Sequence, residues 1–139
     1  MKKKLKFILP VVLLLVAGVG YKKMSAKKPV GPKPKIAGEL VQLAPEFVVN
    51  LAGGRYGKLT VALQMKEPIP VAKDATGPVQ PVQNDAVRAV ITDTLTGVPA
   101  ETLISRPGRT RLLTAILKNL RVKTDEKVSA VYFTDVAVQ

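Results

Sequence analysis

Apolar residues run almost unbroken from Leu5 to Tyr21 (LKFILPVVLLLVAGVGY), stop, and then return in two different rhythms. A run that is apolar around its whole circumference, with Lys6 as its sole charge, reads as a membrane-spanning helix. Its 17 residues reach roughly 25 Å at ~1.5 Å per residue, slightly short of a ~30 Å hydrocarbon layer. Lysines on both flanks can snorkel to the headgroups and make up the difference. The residues assigned to the anchor are Leu5, Phe7, Ile8, Leu9, Val11, Val12, Leu13, Leu14, Leu15, Val16, Val19 and Tyr21. Tyr21 suits an interface, and a kink at Pro10 is tolerated there. A cleaved signal peptide is the rival reading, since Gly18 and Gly20 are placed like a processing site. Tyr21, Lys22 and Lys23 follow at once, which favours an uncleaved anchor.

From Lys22 to Gly38 bulky apolar residues nearly disappear, and six lysines and three prolines take over. Such a stretch is a solvated, semi-extended spacer. Pro29-Val30-Gly31-Pro32 has the spacing of a polyproline ligand, but a stiff linker is the ordinary reading.

A rhythm of two then sets in. Leu40 to Leu43, Phe47 to Leu51 and Arg55 to Met65 read as strands, with Gly53-Gly54 turning the second into the third. Leu59, Val61 and Leu63 alternate with Lys58, Thr60, Ala62 and Gln64, so one face of this hairpin is buried. Pro68, Pro70, Pro78 and Pro81 mark a loop over about 67–83, long for a compact domain.

Helical spacing follows. Ala86, Val87, Val90, Ile91, Thr94 and Leu95 predict a helix over about 85–96, with Asn84 as N-cap, Gly97 as the left-handed stop and Pro99 beyond it. Ala100 to Leu103 reads as a short turn leading to Arg106-Pro107-Gly108. A second helix is predicted over about 109–121, with Leu112, Leu113, Ile116, Leu117 and Leu120 inward. Arg111, Thr114, Lys118 and Arg121 lie opposite. A solvated face, its late cations favoured by the helix dipole, is the ordinary reading of that side; lipid or an acidic partner is the alternative. The final strand, Val128 to Gln139, alternates poorly because Val131, Tyr132 and Phe133 are consecutive and bulky. That suits a strand covered on both faces or broken by a bulge.

Charge changes the picture once it is located. The net charge is +12, but ten lysines precede the first acid, Glu39, and from there on 12 basic and 10 acidic residues leave +2. The excess belongs to the flanks of the apolar run, where anionic headgroups are the partner. A nucleic-acid module would carry its charge on the fold and add stacking aromatics, and aromatics are only 4% here. Four lysines at the N-terminal end, Lys6 among them, and six after the span leave the orientation rule near balance.

The chemical inventory is thin. No His and no Cys occur, which excludes Ser-His and Cys-His pairs, disulfides and thiolate metal sites. The serines (Ser25, Ser105, Ser129) lack a nucleophile setting, and Gly57-Lys58 lacks the rest of a phosphate loop. The carboxylates are scattered; Asp125-Glu126 reads as a solvent-exposed turn pair. No cofactor, metal or catalytic residue is assigned.

Taken in order, these features resemble one family: the lysine-flanked span, Phe47-Val48-Val49-Asn50-Leu51, Arg55-Tyr56, a helix closed by Leu95-Thr96, Ala100-Glu101-Thr102-Leu103, Gly108-Arg109, a leucine-rich helix with Asn119-Leu120, and the ending Val131 to Gln139 (VYFTDVAVQ). The chain resembles FliL, the flagellar basal-body-associated membrane proteins, over nearly all of its length outside the linker. It departs at Pro107, at the small Val136 and Ala137, and in its short basic linker. The resemblance implies a non-enzymatic α+β protein of the bacterial inner membrane. Residues 1–21 would form the tail and single transmembrane helix, 22–38 the basic linker, and 39–139 an extracytoplasmic, stomatin-like (SPFH-type) domain with a β-hairpin, two helices and a C-terminal strand. It further implies a homo-oligomeric ring supporting the flagellar stator complex and motility, with membrane lipids as further partners and no nucleic acid. Another class is kept open: an anchored binding module of a secretion or division machine, or a secreted binder whose N-terminus is removed.

Overall fold

A computed structural model of the chain describes residues 36–71, 73 and 76–139, together with Gly31. The predicted anchor and most of the linker lie outside the described residues. Within them the fold is α+β, as expected. Four strands, β1 (Glu39–Gln42), β2 (Phe47–Asn50), β3 (Tyr56–Met65) and β4 (Val128–Val138), form one antiparallel sheet. Three helices, α1 (Asn84–Leu95), α2 (Ala100–Ile104) and α3 (Arg106–Lys123), lie between β3 and β4 in sequence.

β3 pairs with every other strand. Gln64 faces both Leu40 and Ala130, and Leu59 faces both Phe47 and Val136, so β1 and β2 lie end to end along one edge while β4 takes the other. The hairpin turn between β2 and β3 is as predicted. Gly53 and Gly54 both adopt positive φ (75° and 73°), which glycine alone takes freely, and Leu51 N–H closes the turn on the Arg55 carbonyl at 2.8 Å. Between β1 and β2 the register slips by two residues, Gln42 facing Ala62 but Phe47 facing Leu59. Arg88 of α1 fastens this insertion, donating to the Pro45 carbonyl at 2.8 Å while its guanidinium lies 4.1 Å from the centre of the Phe47 ring.

Alternation along β3 sets the layers. Gly57, Leu59, Val61, Leu63 and Met65 are buried beneath the helices, while Lys58, Thr60 and Gln64 face outward. Ala62, on the outward side, is also 2% exposed, its small side chain lying in a row with Gln42 and Tyr132. The helices contribute Val87, Val90, Ile91 and Leu95 from α1, Ala100 and Leu103 from α2, and Leu112, Ile116 and Leu120 from α3. β4 owes its poor alternation to bulges. Its register against β3 shifts between Thr60 and Val61 and again between Gln64 and Met65, leaving Thr134 and Ser129 as extra residues. Each extra residue turns its hydroxyl onto the interrupted ladder: Ser129 Oγ donates to the Gln64 carbonyl at 2.9 Å and Thr134 Oγ1 to the Thr60 carbonyl at 3.4 Å.

Three expectations need correction. Ala100–Leu103 is not a turn but the helix α2, one turn too short to show a period. It forms because it buries Ala100 and Leu103, and because Arg109 Nη1 reaches back to the carbonyls of Leu103 (3.2 Å) and Ile104 (2.6 Å) at its end. Arg106-Pro107-Gly108 is not a lead-in but the first turn of α3. Proline is tolerated there, Ser105 Oγ accepts from Gly108 N–H at 3.3 Å, and a Cβ at Gly108 would collide with the Thr102 carbonyl of the crossing α2. Asn84 is the first residue of α1 rather than its cap; Gln83 holds the cap position without a side-chain cap bond. The stop at Gly97 stands: its φ is 75°, and its N–H is claimed by the Asn50 carbonyl at 2.8 Å, which ties the end of α1 to β2.

The inward face of α3 is narrower than its leucines suggest. Leu112, Ile116 and Leu120 are buried, whereas Leu113 and Leu117 are only partly buried at its flank. Ile116→Ala should therefore cost about 2–5 kcal/mol, and Leu117→Ala clearly less. Chemical unfolding of the two variants checks the ranking; an equal or larger loss at Leu117 would place that side chain in the core.

Candidate functional site

The long segment after β3 is held to the domain by polar bonds as well as by buried Ile69 and by Val79 packed against the core. Glu39 Oε2 accepts from Ile69 N–H at 3.0 Å, and Gln80 Nε2 donates to the Gln42 carbonyl at 3.1 Å. At the start of α1, Gln83 forms a two-way clamp with the turn between α3 and β4. Its Nε2 donates to Asp125 Oδ2 (3.0 Å), its Oε1 accepts from Asp125 N–H (2.9 Å), and its own N–H donates to Glu126 Oε1 (2.7 Å). The Asp125-Glu126 pair is thus a tether, which is the structural role that a turn pair suggests.

Beside this clamp opens a cleft of about 600 Å³, lined by Val82, Asn84, Asp85, Val122, Lys123 and Asp125 among others. Its chemistry does not converge on one ligand. The N-terminus of α1 favours an anion. Yet Asp85 and Asp125 are negative, and the buried Asn84 Oδ1, which has no hydrogen-bond partner among the described residues, is an acceptor as well. No group of three or more His, Cys, Asp or Glu placed to hold a metal occurs among the described residues. Ser105 caps α3 and Ser129 fills a bulge, while Lys58 is paired with Glu46 at 2.8 Å. The hydrogen bond from that carboxylate, helped by its charge, raises the Lys58 pKa above the ordinary lysine value. Ser105, Ser129, Lys58 and the Asp125-Glu126 pair are therefore used by the scaffold.

Two exposed surfaces stand out among the described residues. One is the outward face of the sheet, where Leu40, Val48, Tyr56 and Tyr132 are exposed. The other is the outward face of α3, where Arg111, Thr114, Lys118 and Arg121 are all exposed, as their spacing predicts. Sequence reasoning missed Gln83, Arg88 and Arg109 as organising residues, because their partners lie on segments distant in the chain or are backbone carbonyls that carry no side-chain signal. The predicted anchor residues, Leu5 to Tyr21, lie outside the described residues. No described helix is long and apolar enough to cross a membrane.

Comparison with known proteins adds one finding. The model of a protein family described as "Flagellar basal body-associated protein FliL" matches residues 40–139. No curated protein matches the chain.

Because two of the three clamp bonds run through the Gln83 side chain, both to Asp125, Gln83→Ala should loosen the loop and the α3–β4 turn together. The expected loss is about 1 kcal/mol of stability, with faster hydrogen exchange at the Asp125 amide. Unchanged exchange there would show that the loop is held by other contacts.

Proposed function

The chain belongs to the FliL family of flagellar basal body-associated proteins, and from this membership we propose that it is a structural accessory of the flagellar motor, anchored in the cell membrane and assembled as a ring that supports the stator units. The observation that carries this reading is the extent of the match. It begins at Leu40, inside β1, and ends at Gln139, so it takes in all of the sheet but Glu39 and all three described helices.

The finer parts of the proposal rest on physical argument. The run from Leu5 to Tyr21 supplies the membrane span, and in this reading the domain lies outside the cytoplasm. A span confines every copy to two dimensions with one orientation, which raises the effective concentration for weak lateral contacts. Head-to-tail contacts between co-oriented copies close into a ring when the rotation permits it. A near-balanced domain, +2 from Glu39 onward, allows close neighbours without strong repulsion, while the linker lysines face anionic headgroups. The chain holds no His or Cys, and the α+β scaffold would act by positioning partners rather than by catalysis. The domain would be of the stomatin-like (SPFH) type.

Full-length protein in mild detergent should run as a large oligomer by light scattering, and a motile host lacking the gene should swim more poorly, above all under viscous load. A strictly monomeric protein at all concentrations overturns the ring; undiminished swimming at every load overturns the motor role.

A further inference from the structure

We propose that the outward face of α3, centred on Arg111, Thr114 and Lys118, is a docking surface for an acidic segment of another protein. This goes beyond the ring reading and does not depend on it. The helix carries six cations and not one carboxylate in its 18 residues, so the domain's net +2 is six positive charges on α3 against a net of four negative elsewhere. A merely solvated helix face is laced with acids three or four residues from its bases. Here the neighbours at those spacings are Pro107, Gly108, Thr114 and Ala115 for Arg111, and Thr114, Ala115, Arg121 and Val122 for Lys118. The first turn holds no acid and opens with Arg106, a cation at the positive end of the helix dipole. Such a pattern weakens the helix, and departures of this kind mark functional surfaces.

Internal uses account for some of these cations but not for the central ones. Arg109 caps α2, Arg121 donates to the carbonyls of Val128 and Ser129 at 3.3 Å each, and Lys123 faces Asp93 at 3.8 Å. Arg111 and Lys118 are exposed and have neither an ion pair nor a side-chain hydrogen bond among the described residues. They stand seven residues apart, hence in one line about 10 Å long, with the short Thr114 between them. Val122, 77% exposed, extends that line as an apolar contact.

Charge complementarity selects the occupant. A second copy is poorly suited, because seven of the nine described carboxylates are already engaged. Glu46, Glu67, Asp93 and Glu101 pair with lysine or arginine, and Glu39, Asp125 and Glu126 accept hydrogen bonds, leaving Asp85 and Asp135.

The chain has no cysteine, so Thr114→Cys places one unique fluorescent label in the middle of the face, and Val48→Cys places a control label on the exposed sheet. Each labelled full-length protein, in zwitterionic detergent, is titrated with an oligo-glutamate peptide roughly three helical turns long. The label at 114 should respond at low salt, weaken as salt screens the contact, and respond far more than the label at 48. Adding Arg111→Gln and Lys118→Gln should raise the half-saturating peptide concentration about fivefold or more, whereas Lys27→Gln with Lys28→Gln, an equal loss of charge in the linker, should change it less than about twofold. Thermal melting confirms that both pairs leave the fold intact. Equal shifts for the two pairs would mean that only net charge is sensed, and would overturn the proposal. It is equally overturned by a 114 response to phosphatidylglycerol vesicles in place of the peptide, or by one that grows with protein concentration alone.

Discussion

Everything in this domain hangs on β3. It is the one strand that pairs with all the others, and its alternate residues Leu59, Val61, Leu63 and Met65 lie at the centre of the buried face. Because side chains in a strand alternate strictly, these residues oblige one face of the sheet to be covered and leave the other open. The helices that cover it come from the insertion between β3 and β4, so the chain must leave the sheet, build the layer and return to the edge it left. Antiparallel pairing of β3 with β4 closes that excursion, sealed at the far end by mutual hydrogen bonds between Tyr56 and Gln139 at 3.0 and 2.9 Å.

Both edges of β3 needed local adjustments. On one side the two-residue insertion between β1 and β2 swings Phe47 into the core, and Arg88 holds it from α1. On the other side two bulges let an eleven-residue strand follow a shorter stretch of partner, with Ser129 and Thr134 bonding the carbonyls freed by the slip. An edge interrupted in this way is also a poorer template for stray strand pairing.

Helix α3 shows how structural and recognition roles divide along one element. Its inner line of Gly108, Leu112, Ile116 and Leu120 is set by packing, with glycine where α2 crosses too closely for a side chain. Its cations divide in turn between those spent on backbone carbonyls or on Asp93 and those left free in solvent. A family associated with the flagellar basal body works among other proteins. A rigid helix with an acid-free face offers such neighbours a fixed, salt-sensitive contact without demanding any change in the core.

The local rhythms alone determined a good deal of this protein. The β2–β3 hairpin, the span of α1 with its stop at Gly97 and the course of β4 follow from alternation, helical spacing and glycine, because these signals act between residues near each other in the chain. The lack of His and Cys, and the concentration of charge ahead of Glu39, were equally legible, since composition needs no fold. What only the tertiary structure decided involves partners far apart in sequence. α2 exists because Ala100 and Leu103 find a core and Arg109 finds its carbonyls, and a five-residue segment carries too little pattern to announce that. The same holds for Gln83, whose clamp on Asp125 spans 42 residues. It holds also for the division of the α3 leucines into buried Leu112 and Leu120 and flanking Leu113 and Leu117, which depends on what each meets in the core. Spacing names the side of a helix that turns inward; only the neighbour it meets fixes how wide that side is.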